Sequence, residues 1–130
     1  MPGKKGPRQR LWRIRAKRIL TTTGAIERPL SFAGNDLPGV MLAGSVRDYL
    51  VDFGTSCGDI MVLATNNDDA YRTAIKQSEV GLKVAAILDA RTSVTGELPN
   101  KARELGIRVE TGMAISKVKG SKSVSGVSIC

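Results

Sequence analysis

The residues best placed to do chemistry lie between Asp59 and Arg91, in the stretch DIMVLATNNDDAYRTAIKQSEVGLKVAAILDAR. Here a polar corner, Thr65-Asn66-Asn67-Asp68-Asp69, joins an apolar run to a helical pattern, and a second apolar run ends in an acid, Asp89. A strand-to-helix corner of this kind takes a pyrophosphate, and an acid about 20 residues further on can accept the ribose hydroxyls of NAD. The glycine pattern of such corners is altered: G-x-G-x-x-[GA] would fall on Thr65, Asn67 and Ala70, and only Ala70 keeps a small residue. Asparagine is the best non-glycine substitute at positive φ, so Asn67 is expected to make the turn. Asp68 and Asp69 stand where a phosphate would otherwise meet the free N–H groups of a helix. Asp68 reads equally well as an N-cap, which stabilises a helix by about 1 kcal/mol and binds nothing. Asp89 reads as an ordinary strand-end turn residue too, but its distance from the corner favours a ligand.

These residues need elements to hold them. Ile60-Met61-Val62-Leu63-Ala64 has the length and composition of a strand buried on both faces of a parallel sheet. Ala70, Ala74, Ile75, Ser78 and Val80 recur at helical spacing up to a stop at Gly81. Val84-Ala85-Ala86-Ile87-Leu88 is the next strand. Before this unit, Val40 to Phe53 reads as a helix ended by Gly54, and Phe32 to Gly39 as a loop. After it, Thr92 to Gly96 is a loop, Leu98 to Leu105 a short helix, and Ile107 to Glu110 a third strand. Met113–Lys119 and Ser123–Ile129 alternate about a Gly120-Ser121-Lys122 turn, as in a hairpin. The predicted class is α/β: a Rossmann-like parallel sheet with flanking helices plus a β-hairpin.

A chain of 130 residues with 42% hydrophobic content supports a domain of ordinary size. No apolar run approaches the ~20 residues of a membrane helix, and the basic N-terminus lacks the apolar core of a secretory signal. A cytoplasmic location and no membrane are expected. Histidine is absent, which excludes Ser-His-Asp and Cys-His hydrolases. Cys57 and Cys130, far apart, make no metal motif. No catalytic residue and no metal site is assigned.

The net charge of +8 is concentrated: residues 1–18 hold eight of the twenty basic residues and no acid, leaving twelve against twelve acids. Residues 1–9 are expected to be a disordered basic arm. Arg10 to Arg18 alternates, with Trp12, Ile14 and Ala16 on one side and Arg13, Arg15 and Lys17 on the other, as in a half-buried strand. Ile19 to Thr23 reads as a further strand stopped by Gly24. A nucleic-acid platform would want interleaved aromatics, and only Trp12 is there. Nucleic acid is therefore an unfavoured partner, although a non-catalytic module with a basic arm for nucleic acid or an acidic partner remains the alternative function.

The strings Arg10-Leu11-Trp12-Arg13-Ile14-Arg15-Ala16-Lys17-Arg18, Thr23-Gly24-Ala25-Ile26-Glu27-Arg28-Pro29-Leu30, Phe32-Ala33-Gly34-Asn35-Asp36 and Pro38-Gly39-Val40-Met41-Leu42-Ala43-Gly44 resemble the alpha subunit of heterotetrameric sarcosine oxidase. Thr65-Asn66-Asn67-Asp68-Asp69-Ala70-Tyr71 and Asp89-Ala90-Arg91 resemble the same family's altered phosphate turn and strand end. The resemblance runs from about Arg8 to Ile129. It implies part of a two-dinucleotide-binding (FAD/NAD(P)) flavoprotein fold. Residues 10–39 would end the outer, FAD-type domain, and 40–130 would form the inner NAD-binding domain with its C-terminal hairpin. It further implies NAD bound here by Thr65, Asn66, Asn67, Asp68, Ala70 and Tyr71 at the pyrophosphate turn and by Asp89, Ala90 and Arg91 at the adenosine end. Thr23 and Gly24 would sit at the strand end of the outer domain. FAD and FMN would be carried by the full complex, whose remaining parts and subunits are the expected partners of a hetero-oligomeric oxidase acting on sarcosine. Such a subunit's N-terminal glycine-rich unit and C-terminal folate-binding half have no counterpart in the sequence, so a fragment or split-gene product, inactive alone, is expected.

Overall fold

The computed structural model describes residues 9–130; the expected basic arm lies outside the described residues except for Gln9. The element order is α1 (Ala43–Phe53), β1 (Ile60–Thr65), α2 (Asp69–Glu79), β2 (Lys83–Asp89), α3 (Glu97–Glu104), β3 (Val109–Thr111), β4 (Ile115–Gly120) and β5 (Val124–Ile129). β1, β2 and β3 form a parallel sheet in that order, and β4 and β5 pair antiparallel as the predicted hairpin. The α/β class with a Rossmann-like sheet and a hairpin is what the residue pattern predicts.

The apolar runs form strands because both faces are covered, and alternation assigns their residues. Met61 and Leu63 turn toward the helices, where Leu63 joins a core with Tyr71, Ala74, Ile75, Ile87, Ala102 and Ile107. Val62, Ala86 and Leu88 line a cleft with Val127 and Ile129, so the hairpin lies over the opposite face. The β1–β2 register slips once, between Met61 and Val62, which pair with Val84 and Ala86. That irregularity lets Val84 and Ile87 both pack on the helix-side core.

α2 ends as the sequence dictates. Gly81 has φ 82°, and Leu82 N donates to Gln77 O at 2.9 Å and Gly81 N to Ser78 O at 3.0 Å. That left-handed closure satisfies the last carbonyls of the helix. Thr73 Oγ1 donates to Ala43 O at 2.9 Å and ties α2 to α1. Glu79 takes both Lys76 and Lys101, linking α2 to α3.

Two local expectations are corrected. Residues 10–23 form no strand: they run without regular structure, with Trp12 73%, Ile14 83% and Leu20 89% exposed. A strand is stabilised by a ladder on a neighbour, and no described residue supplies one. The third strand is Val109–Thr111 rather than Ile107–Glu110, because Ile107 N turns back to Ala102 O at 3.0 Å and its side chain enters the core. The loop around Phe32 to Gly39 is docked on the hairpin: Ala33 N donates to Ser116 O, Val118 N to Ala33 O, and Val124 N to Pro38 O.

Candidate functional site

The corner between β1 and α2 is built by its own side chains. Thr65, 7% exposed at the end of β1, accepts from Asn67 N at 3.1 Å and donates to Asn67 O at 2.9 Å through Oγ1. Asn67 Oδ1 accepts from Asp69 N at 3.0 Å, and Asn67 Nδ2 donates to Asn66 Oδ1 at 3.1 Å. Among the described residues no non-glycine has positive φ. The expected left-handed Asn67 is thus corrected: the threonine hydroxyl closes the turn in ordinary backbone space, and so glycine is not needed there. The N-cap reading of Asp68 also changes. Asp68 occupies the cap position but makes no side-chain cap bond, and the Asn67 side chain does that work one residue earlier.

The Asp68 side chain reaches across the mouth of the corner instead. Arg91 Nη2 donates to Asp68 Oδ1 at 2.7 Å and to Asp89 Oδ2 at 2.7 Å, while Arg91 Nε and N both donate to Asp89 Oδ1 at 3.0 Å. Tyr71 Oη donates to Asp89 Oδ2 at 2.9 Å. Asp89 is 0% exposed. A carboxylate offers about four lone-pair positions, and Tyr71 and Arg91 take all of them. Burial alone would raise the Asp89 pKa, but the bonds from Arg91 and Tyr71 outweigh it and hold the carboxyl below its ordinary value. The same pairing, with Asp89 first and Asp68 second, raises Arg91 and keeps it protonated. Burial, reinforced by Asp89, pushes the Tyr71 phenol up to about 12.

The second acid of the corner is paired as well. Asp69 Oδ2 meets Arg47 Nη2 of α1 at 3.1 Å, and Asp69 Oδ1 meets Arg72 Nε at 3.4 Å. Asp68, Asp69 and Asp89 therefore face Arg47, Arg72 and Arg91, and the charges at the helix mouth balance. Arg47 is the residue that sequence reasoning missed. It lies 22 residues before Asp69, and no local spacing pattern connects the two.

The remaining expected site residues are placed as follows. Ala70 is buried at 4% under the first turn of α2, and Ala90 N donates to Thr65 O at 2.9 Å, closing the ends of β1 and β2. Asn66 and Asn67 are exposed at the mouth. Tyr71 is fully buried and faces Asp89 rather than the mouth. Thr23 and Gly24 lie in the exposed N-terminal stretch, and Gly24, with φ 68°, has nothing within 4 Å of where a Cβ would stand. The structure does not bring them to the corner. From the same stretch, however, Glu27 Oε2 accepts from Gly44 N at 2.7 Å and caps α1.

On the hairpin side of the carboxyl ends of β1 and β2 lies a cleft of about 150 Å³, lined by Phe32, Ala64, Thr65, Leu88, Ala90 and Met113. Ligand pockets generally run to ~300 Å³ or more, so this cleft fits only part of a dinucleotide. Among the described residues no cluster of His, Cys, Asp and Glu could hold a metal, and no helix is long and apolar enough to cross a membrane.

No protein-family model matches the chain. It is 42% identical over 116 residues to sarcosine oxidase subunit alpha of Corynebacterium sp. (strain P-1), covering 89% of this chain and 12% of that protein. The subunit alpha of Rhizobium meliloti (strain 1021) is 41% identical over 123 residues, 95% of this chain and again 12% of the relative. That of Corynebacterium sp. (strain U-96) is 39% identical over 116 residues. The chain is thus a sequence relative of one segment of the sarcosine oxidase alpha subunit, and it spans 12% of the length of the curated relatives it matches. Among solved structures, T. acidophilum thioredoxin reductase is similar with a TM-score of 0.47 and 19% identity, over 54% of this chain and 24% of that one.

Proposed function

We propose that this chain, a relative of one segment of the sarcosine oxidase alpha subunit, is the NAD-binding segment of a flavin-dependent amine oxidase subunit. It takes part in oxidative demethylation of sarcosine only within the full hetero-oligomeric complex, which carries FAD and FMN. In this reading residues 10–39 end an outer dinucleotide domain and 40–130 belong to the inner one.

The observation that supports nucleotide binding is the charge balance at the mouth of α2. Unpaired carboxylates there would repel a pyrophosphate, but all three are in ion pairs: Asp69 at the helix start holds two guanidinia, and Asp68 and Asp89 share that of Arg91. The dipole of the helix is left to favour an anion. The residues fit the group on these terms. The side-chain amides of Asn66 and Asn67 are exposed donors at the mouth, standing in for backbone N–H groups that Thr65 and Asn67 already engage. The small Ala70, buried beneath the first turn, lets α2 pack closely on the sheet. Asp89 has no acceptor position left for a ribose hydroxyl, so its part is to fix Arg91, and Asp68 and Arg91 form the surface that meets the adenosine end. Bound NAD would supply pyridine-nucleotide chemistry. The residues of this chain bind and orient it and carry no proton-transfer step.

The test is calorimetric titration of the full subunit with NAD. Saturable binding is expected, weakened about tenfold by Asn66→Asp, which sets an unpaired carboxylate at the mouth without touching the core. Asp89→Ala is expected to weaken it too, with circular dichroism showing that the variant is folded. Absence of binding in the unaltered subunit leaves a structural α/β scaffold with a self-capped turn.

A further inference from the structure

Resting on the nucleotide reading above, we infer that Asp68 decides which dinucleotide the corner accepts, by withholding Arg91 from the 2′-phosphate that distinguishes NADP from NAD. In corners of this kind an acid at the strand end selects a free 2′-hydroxyl, and a nearby arginine accommodates a 2′-phosphate. This chain carries both, Asp89 and Arg91, two residues apart. The structure ranks them. Asp89 is fully buried and its acceptor positions are filled, whereas the Arg91 side chain is 34% exposed. Arg91 is therefore the group that a ligand meets at this end, and a guanidinium pairs readily with phosphate.

What holds it back is the half-exposed carboxylate of Asp68, 49% exposed, on Arg91 Nη2 at 2.7 Å. With Asp89 on the other side, the guanidinium lies between two carboxylates, and the trio carries one net negative charge. Tyr71, neutral throughout the working range, adds none. A 2′-phosphate approaching this trio meets like charge, and a ribose hydroxyl does not. The loop after β2 closes in beside it: a Cβ at Gly96 would stand 3.9 Å from Asp68 Oδ2. Of the two carboxylates, only Asp68 can be neutralised without leaving a buried donor unpaired. The residue that sets nucleotide preference thus lies at the mouth of the helix, 23 positions before the arginine it restrains.

The test titrates NAD and NADP into the full subunit and into its Asp68→Asn and Asp68→Asn/Arg91→Ala variants, with Asp68→Ser as a second route to the same neutralisation. The readout is the ratio of NADP to NAD affinity. Both ligands share the pyrophosphate, so a general gain from removing charge at the helix mouth cancels. The unaltered subunit is expected to prefer NAD about tenfold or more. Neutralising Asp68 is expected to raise the NADP-to-NAD ratio about tenfold, and removing Arg91 to abolish the gain. An unchanged ratio in both single variants, with NAD still bound, overturns the role of Asp68. A gain that persists without Arg91 overturns it as well. Failure of every form to bind either dinucleotide overturns the nucleotide reading itself.

Discussion

Tyr71 and Asp89 stand 18 residues apart in sequence, and both are fully buried with 2.9 Å between phenol and carboxylate. The energetic consequences differ between the partners. Tyr71→Phe removes one donor from an acid that keeps its arginine, and a loss of about 1 kcal/mol by urea denaturation is expected. Asp89→Ala strands the phenol in the core and half-frees the arginine, so about 3 kcal/mol is expected. Tyr71→Phe proving the costlier of the two would overturn this ranking. The same pair shapes the pH dependence. The Tyr71 pKa is raised to about 12, so the folded form keeps a proton that the unfolded chain begins to lose near 10. Stability from this group is therefore complete below about pH 10 and falls as pH rises toward 12. Asp89 is depressed when folded, so its contribution is present above the ordinary carboxyl range and is lost as pH drops through the folded value. Melting temperatures recorded across pH should decline at both ends, and Tyr71→Phe should flatten the alkaline limb.

The hairpin exemplifies what an element requires beyond alternation. A Cβ at Gly120, where φ is 153°, would overlap the carbonyl oxygen of Ser123. Gly120→Ala is therefore expected to open the β4–β5 turn, at a cost of about 1–3 kcal/mol. Because Val118 N is bonded to Ala33 O and Val124 N to Pro38 O, faster hydrogen exchange should appear at Val118 and Val124 and spare the amides of β2. Uniform acceleration over both sheets would mean that the hairpin is not a separable unit. The helices obey another logic. α2 shows its pattern locally, in Ala70, Ala74 and Ile75. Its union with α1 depends on Thr73 and Arg47, whose partners are distant in sequence.

At the scale of the whole molecule, the N-terminal stretch carries Leu11, Trp12, Ile14, Ile19, Leu20 and Ile26 between 73% and 92% exposed. β1 pairs on one side only among the described residues. Exposed apolar chain and an open sheet edge both invite association. The 130-residue chain alone is expected to self-associate with concentration in light scattering. Ile14→Lys with Ile26→Lys should reduce this while changing stability by no more than about 0.5 kcal/mol. A destabilisation of several times that would show that the stretch packs on the body after all.

The sequence by itself determined the strand-corner-helix-strand unit, its helix stops and the hairpin, because periodicity, glycine and apolar runs act over a few residues. It also carried the likeness to the sarcosine oxidase alpha subunit, through strings such as Thr65 to Tyr71. The strands expected at residues 10–23 were not legible as absent, since a strand is decided by its neighbours and not by its own alternation. Only the tertiary structure decided what the charged residues do. Whether Asp68 caps a helix or clasps Arg91, and whether the acceptor positions of Asp89 stay open or are filled by Tyr71 and Arg91, depends on which groups long-range folding brings within hydrogen-bond reach, at the half-exposed mouth for Asp68 and in the buried interior for Asp89.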